Sequence, residues 1–550
     1  MTQFARRCST WMLLACLAGP GLVGCSRNYY RTSADKEVYG IIEARSRIVP
    51  GMVSDFTIEQ AVHDVLADCP RAEPPATEDA EPPSNAERPY VLSLARALEV
   101  AALNSRRYQT EKENVYRQVL SLTLQRYAFR PQFFGALAGQ YDEVDMGESR
   151  RVSGDSDFGF SWLLSTGARI TAALSTSVSQ FVKGDPQRAA ASALRITVTQ
   201  PLLQGAGISV TEGLTQAERD TVYQIRSFVR FRRTFFVSIL AAYYRVLEDA
   251  QVVENERRNL ESLMLLRERA EAMADAGEFS GYQVDQVRQR ELEAGDRIVR
   301  VQQNYESSLD NFKVTLGLPA ETPLILDPAE LSRLTEEGDL AIPLSAERIQ
   351  ELAMAHRLDL LTSGNRVEDA ERRLEVTAND LLPGLDLRAT MATDTAGNSP
   401  TNFQVSRTDY SVGFDLDLPL NKLAARNAFR RALIDVDRAR RDHEELRDEV
   451  VLGVRSTWRQ YERALRSHEI QKRSVELAET RLDSTQMLLK AGRVEARDVL
   501  DAQEALVGAQ NDLAAALVDY RVARLELARD MDILDVGDRG ELKESFDEYR

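Results

Sequence analysis

Ala101 to Pro131 reads AALNSRRYQTEKENVYRQVLSLTLQRYAFRP, and 252 positions further on Ala353 to Pro383 reads AMAHRLDLLTSGNRVEDAERRLEVTANDLLP. The two stretches align without a gap. Each is a helical segment that ends at a proline, and each then enters a run of alternating polarity. A second match, Ala276-Gly277-Glu278 against Ala491-Gly492-Arg493, is offset by 215, and helical periodicity continues past it to Leu318 and Ile533. Similarity at a fixed spacing is the mark of an internal repeat. The offsets differ by 37 residues, so the first copy is longer between its first helix and its glycine turn, with most of the excess in 146–190.

Working outward, each copy has the same order: half-length helix, strands, long helix, glycine turn, half-length helix. The spacing predicts helices over 93–130, 211–276 and 281–316 in the first copy and over 345–382, 421–491 and 495–533 in the second. No proline occurs from Leu202 to Leu318 or after Leu420, so the usual helix breaker is missing from both long segments. At 1.5 Å per residue the long helices span about 100 Å and the short ones about half that, so two short helices end to end match one long one. Apolar residues follow mixed three- and four-residue steps, as at Phe429, Leu433, Val436, Leu446, Val450, Val454, Trp458, Tyr461 and Leu465. So narrow a seam suits coiled-coil packing with wet faces on both sides.

Between the helices the period changes to two. Leu194, Ile196 and Val198 interleave with Arg195, Thr197 and Thr199; Leu385, Leu387 and Met391 with Asp386, Arg388 and Thr390; Val412, Phe414, Leu416 and Leu418 with Gly413, Asp415 and Asp417. Segments of about ten residues have the length of tilted membrane strands, and one apolar face with one polar face is what a barrel wall between lipid and water requires. A small soluble sheet with one buried face would alternate in the same way. In the first copy both Phe133 to Tyr141 and Ile170 to Val182 qualify as the partner of 192–200, and the residues between them, with Phe158, Phe160 and Trp162, read as an extra hairpin or an external loop. The expectation is two strands per copy and four per chain. Four strands cannot close a membrane barrel, of which the smallest have about eight, so the barrel must be shared: eight strands in a dimer, twelve in a trimer. An eight-stranded interior is filled by side chains, so a conducting pore favours more.

The first residues read as a removable leader. Arg6 and Arg7 are followed by the short apolar run Trp11 to Ala18 and by Leu22-Val23-Gly24-Cys25, an order that fits a secretory signal with a lipidation site at Cys25. Ser26 after the cysteine is compatible with the outer membrane. The longest later apolar run, Phe235 to Tyr244, is half of what a membrane helix needs, so a membrane crossing would have to be made by strands. The expected organisation is 1–24 signal peptide, 25–92 lipid-anchored irregular lead-in with a Pro-, Glu- and Ala-rich linker from Glu73 to Pro89, 93–318 first repeat, 319–344 connector, 345–533 second repeat and 534–550 tail.

The formal charge of −17 argues against non-specific nucleic-acid binding, which runs on Lys and Arg excess. Of the four cysteines, Cys8 and Cys16 leave with the signal and Cys25 is the lipid site, which leaves Cys69 without an intrachain partner, so no internal disulfide is expected. The histidines His63, His356, His443 and His468 are scattered, no metal spacing occurs, and no cluster of His, Cys or Ser has a catalytic spacing. The expectation is no cofactor and no enzymatic activity.

With the duplicated pattern, the turn Gln200-Pro201-Leu202-Leu203-Gln204-Gly205, its degenerate copy Pro419-Leu420 and the run Gly492-Arg493-Val494-Glu495-Ala496-Arg497-Asp498-Val499-Leu500-Asp501, the chain resembles the TolC-type outer-membrane efflux family over about 93–533. That resemblance implies a homotrimer with a twelve-stranded barrel in the outer membrane and a helical tunnel through the periplasm. It also implies a lipoprotein member, palmitate-bearing at Cys25, that works as a passive exit duct of a tripartite efflux or type I secretion system. Its partners would be a periplasmic adaptor and an inner-membrane pump. Asp498 and Asp501, spaced i, i+3 on one helix face, match the acidic residues that constrict the family's closed pore, while the first copy carries Gln283 and Gln286 at the corresponding places. The hairpin tips Gly277, Ser280, Gly492, Arg493 and Val494 are the expected adaptor contacts. The rival readings are a non-porous lipid-anchored coiled-coil scaffold, which leaves the symmetric strands unexplained, and a periplasmic adaptor, which has one hairpin where this chain has two.

Overall fold

The structure, a computed structural model, describes residues 26–53, 56–59, 66, 69–72, 88–144, 149–183, 188–338, 341–544 and 546. Cys25 and most of the Glu73 to Pro89 linker lie outside the described residues. The chain forms two compact units, and neither is a sequence repeat: one gathers 1–50, 115–222 and 375–428, the other 51–114, 223–374 and 429–550.

The helices are α1 (Arg27–Ser46), α2 (Leu94–Asn104), α3 (Arg106–Tyr127), α4 (Ile208–Asp275), α5 (Gly281–Leu316), α6 (Ala329–Glu337), α7 (Ala346–His356), α8 (Leu358–Asn379), α9 (Leu423–Lys490) and α10 (Ala496–Asp530). The long helices α4 and α9 have 68 residues each, a rise of about 100 Å. Their partners α5 and α10 have 36 and 35. The first half-length helix predicted in each copy is broken once, at Ser105 and at Arg357, where the backbone is extended with ψ of 122° and 118°. These residues stand 252 positions apart, so the break is duplicated with the rest. No glycine or proline marks it in the sequence.

In the first unit, α1 occupies 27–46 of the stretch 26–92 that was expected to be irregular. Ser26 caps it by accepting from the Tyr29 N–H at 3.4 Å, and Val38, Ile41 and Ile42 are buried. The Tyr116 hydroxyl donates to Asp35 at 2.6 Å, and Arg45 and Arg126 both reach Glu218, at 3.3 and 2.9 Å. Polar side chains on most of its surface hide the helix from a reading by apolar period.

The same unit holds β2 (Gln132–Val144), β3 (Ser149–Leu163), β4 (Arg169–Lys183), β5 (Arg188–Pro201), β7 (Gly384–Asp394) and β8 (Asp409–Asp417), numbered with β1 (Tyr90–Leu92) and β6 (Leu324–Leu326) of the other unit. They form one antiparallel sheet in the order β2-β3-β4-β5-β7-β8. The second repeat contributes the two strands expected of it; the first contributes four. Phe133 to Tyr141 and Ile170 to Val182 are both strands, and Phe158, Phe160 and Trp162 sit on β3 between them. Among the described residues the sheet therefore has six strands where four per chain were expected. The ambiguity arose because β2 and β4 run in the same direction, so either could follow α3 and precede β5 in a two-strand reading.

In the second unit, β1 and β6 pair in parallel, Tyr90 with Leu324 to Leu92 with Leu326. The apolar run Phe235 to Tyr244 lies in its core: Phe235, Phe236, Ile239, Leu240, Tyr243 and Tyr244 are buried, and the Tyr243 hydroxyl donates to the Leu92 carbonyl at 2.9 Å. Tyr108 packs on Phe235 with ring centroids 5.3 Å apart. The start of the tail is tied in by Arg232, 1% exposed, which donates to the carbonyls of Gly51, Val536 and Gly537 at 2.6, 3.2 and 2.8 Å. Among the described residues no helix is long and apolar enough to cross a membrane.

Candidate functional site

The hairpin tips are built alike. After α4 the chain turns at Gly277 (φ +77°) and the Glu278 N–H donates to the Met273 carbonyl at 2.8 Å; after α9 it turns at Gly492 (φ +67°) and the Arg493 N–H donates to Leu488 at 2.9 Å. Left-handed glycine after a helix with this back-bond is the usual helix stop. Each following helix opens with a reciprocal cap. The Ser280 N–H donates to Gln283 Oε1 at 3.0 Å, and the Glu495 N–H donates to Asp498 Oδ2 at 3.0 Å. Asp498 thus has a local task, satisfying an orphan amide at a helix start, that its counterpart Gln283 performs without charge. Leu263, Ala270, Val284, Val287, Ala496 and Leu500 pack under one side of the tips and Leu482, Leu489, Val499 and Ala502 under the other, with Leu266 and Phe279 against both clusters.

Of the expected tip contacts, Gly277, Ser280, Gly492 and Arg493 are exposed, while Val494 packs against the second cluster. Asp498 is exposed and Asp501 half-buried. Asp501 is not a bare carboxylate: Arg290 approaches it at 3.9 Å and Arg497 at 3.8 Å. Arg290 also meets Glu504 at 3.3 Å and Glu293 at 3.1 Å. A hydrogen bond from Gln289, then one from Arg290, hold the Glu293 carboxyl below its ordinary range. Gln286, the counterpart of Asp501, donates to the Tyr282 hydroxyl at 2.8 Å. Sequence reasoning missed both arginines. Arg497 was findable, since it precedes Asp501 by four on one helix; Arg290 comes from another helix, and no spacing announces it.

The sheet is the other candidate surface. Directly paired residues project to one face, so the registers sort every side chain. One face carries Phe133, Leu137 and Tyr141 of β2; Phe158, Phe160 and Trp162 of β3; Ile170 and Leu174 of β4; Leu194, Ile196 and Val198 of β5; Leu385, Leu387 and Met391 of β7; and Tyr410, Val412, Phe414 and Leu416 of β8. The opposite face carries Asp142, Asp155, Asp157, Thr171, Ser175, Thr197, Arg388, Ser411, Asp415 and Asp417. The apolar face is open: Phe133 is 80% exposed, Tyr410 75% and Phe414 70%. So large an apolar surface left uncovered marks a membrane or partner contact.

Comparison with known proteins agrees with this geometry. Residues 349–530 match the family described as outer membrane efflux protein. The alkaline protease secretion protein AprF of Pseudomonas aeruginosa is 28% identical over 253 residues, 45% of this chain and 50% of that protein. The outer membrane efflux protein BepC of Brucella suis is 24% identical over 319 residues, 58% of this chain and 64% of that protein. The match thus spans between half and two thirds of the length of these curated relatives. Among solved structures, the open-state MtrE outer membrane channel of Neisseria gonorrhoeae superposes with a TM-score of 0.59 at 12% identity, covering 86% of this chain and 98% of that one. The outer-membrane channel OprN gives 0.57 at 14% identity, covering 88% and 98%. At such identities the structures speak for the fold alone, and it is the fold of two-faced strands set between paired long helices already described. By family match over 349–530, by relatives and by fold, the chain is similar to the TolC-type outer membrane efflux proteins.

Proposed function

We propose that the protein is a passive exit duct of the outer membrane, assembled as a homotrimer and lipid-anchored at Cys25. A periplasmic adaptor would engage the tips at Gly277, Ser280, Gly492, Arg493 and Val494, and an inner-membrane pump would energise a tripartite efflux or type I secretion system through it. The observation that carries this reading is the sheet, with large apolar side chains gathered on one face of every strand and the charged ones on the other, and with the apolar face uncovered. Lipid covers the first face and water fills the space behind the second. The narrow end is proposed at the tips, where Asp498 and Asp501 of three copies bring six carboxylates near the axis. Arg290 and Arg497 offset the charge of Asp501, which eases the repulsion such a ring otherwise carries.

The test is reconstitution of the full-length protein in planar bilayers. The expected result is a stable, cation-selective conductance blocked from the tip side by trivalent cations, with a heat-modifiable trimer on electrophoresis. The block should weaken in Asp498→Ala/Asp501→Ala and persist in Gln283→Ala/Gln286→Ala. A monomer without conductance would overturn the duct; conductance with an unaltered block would overturn only the gate.

A further inference from the structure

The extra hairpin of the first repeat changes how copies of this chain can join. We infer that all six strands enter the barrel wall and that β8 of one copy pairs with β2 of the next, giving an eighteen-stranded barrel in a trimer. This rests on the duct reading above. A sheet in the order β2-β3-β4-β5-β7-β8 has two open edges, those of β2 and β8. A twelve-stranded trimer would need β8 to pair with β4 of a neighbour, yet the edge of β4 away from β5 is already taken by β3 through 14 paired positions. Breaking that ladder would strand its backbone groups in a membrane, where each unsatisfied group costs several kcal/mol.

Three features place the hairpin in the wall and not outside it. Its faces are in phase with the rest of the sheet: Phe133, Leu137, Phe158, Phe160 and Trp162 continue the apolar face that ends at Tyr410 to Leu416 on β8, and Asp142, Asp155 and Asp157 continue the polar one. An external loop has no reason to keep that phase. β2 and β3 are also fitted to each other closely. Phe134 lies opposite Gly159 and Gly135 opposite Phe158, and a Cβ on Gly159 would collide with the Phe134 ring and the Ala172 carbonyl. Finally, the sense is right. β2 leaves the end of α3 and β8 returns to the start of α9, so copies related by rotation about an axis along the barrel set β8 antiparallel to β2. Barrel diameter grows roughly in proportion to strand number, so the bore would be about half again that of twelve strands, in the range where the interior is an aqueous channel.

The test is disulfide trapping in the full-length protein in outer membranes, on a Cys69→Ser background. Cysteines on the water-facing positions of β8 (Ser411→Cys, Gly413→Cys) are paired in turn with positions on β2 (Ala136→Cys, Ala138→Cys) and on β4 (Thr171→Cys, Ser175→Cys). Covalent trimer from a β8–β2 combination and none from any β8–β4 combination is expected. Trapping through β4 would overturn the inference and leave a twelve-stranded duct standing. A β8–β2 ladder that stops at dimer would overturn the count of eighteen. Absence of any oligomer of the unsubstituted protein would overturn the duct itself. A strand count by electron cryomicroscopy of the unsubstituted protein in nanodiscs decides the matter if the cysteine variants fail to assemble.

Discussion

The first repeat ends its last helix at Gly317 and the second at Asp532, positions related by the same offset of 215 as the glycine turns, and the two solve one problem with different chemistry. Both are left-handed, at φ +81° and +58°, and Asp532 is the only described non-glycine residue with positive φ. In the first repeat the backbone passes so close to the α2–α3 break that a Cβ on Gly317 would strike the Asn104 carbonyl, and the Asn104 amide donates to the Gly317 carbonyl at 2.8 Å. In the second, a side chain reaches across instead. Asp532 accepts from the Leu358 N–H, the first of α8, at 2.8 Å and pairs with Arg233 at 3.0 Å while almost wholly buried. The geometry was kept through duplication and the means were not. A residue that tolerates a strained backbone stays when its carboxylate holds something, here a helix start and a buried arginine.

The largest effects should come from breaking this difference. Asp532→Ala removes the partner of a nearly buried Arg233 and is expected to lower stability by about 3–5 kcal/mol. Asp532→Gly should do less harm by about 1 kcal/mol, because glycine accepts the left-handed backbone. Gly317→Ala should destabilise through collision, with no charge involved. Denaturant midpoints of the purified protein in detergent measure all three, and equal losses in the two Asp532 variants would mean that the backbone strain is immaterial.

Next come the strands, where the repeats differ in number. If the first-repeat hairpin and the second-repeat strands both face lipid, Phe158→Arg and Leu416→Arg should each cost about 2–4 kcal/mol near the membrane midplane, whereas Asp157→Asn and Asp415→Asn on the other face should be mild. The yield of heat-modifiable oligomer in membranes reads this. Tolerance of arginine at Phe158 alone would set the hairpin apart from the wall.

Smaller again are the tips. Asp498→Ala and Gln283→Ala each remove one capping acceptor and should cost about 1 kcal/mol or less. Asp498→Asn keeps an acceptor and should be close to neutral in thermal melts. A large loss there would show the charge, not the cap, to be what matters.

The smallest effect is in pH. Hydrogen bonds from Arg288, then Arg267, at 2.9 and 3.1 Å, hold Glu271 of α4 below the usual carboxylate range. A depressed carboxyl adds stability at pH above its ordinary value and loses it only as pH falls through the lower, folded value. Glu271→Gln should therefore narrow the gap to the unsubstituted protein below the usual carboxylate range and leave it widest near neutrality.

The sequence carried the repeat, the six predicted helical stretches and the two faces of β5, β7 and β8, because each rests on a period that survives in one chain read alone. It did not carry α1, whose buried side is only Val38, Ile41 and Ile42. Nor did it carry the breaks at Ser105 and Arg357, where the next helix is held by contacts such as Asp532 to Leu358 that are 174 residues apart in the chain. The strand number failed for a related reason. Alternation shows that a segment can be a strand but not which strand it joins, and β2 and β4 were equally good neighbours until β3 was placed between them. At the tips, Asp498 was found by position and its capping bond could not be, while Arg290 is visible only in three dimensions.

The indole N–H of Trp162 donates to the Phe129 carbonyl at 3.0 Å, fixing the ring in the sheet-bearing unit. The chain has three tryptophans. Trp11 falls in the stretch expected to be a removable leader, and Trp458 stands on α9 in the other unit, its ring 5.5 Å from that of Tyr461. If that leader is removed, one tryptophan remains in each compact unit. Trp458→Phe leaves emission from the sheet-bearing unit alone, and Trp162→Phe leaves emission from the other. Two single-substitution spectra would thus time-stamp the two halves separately during assembly, without any attached dye.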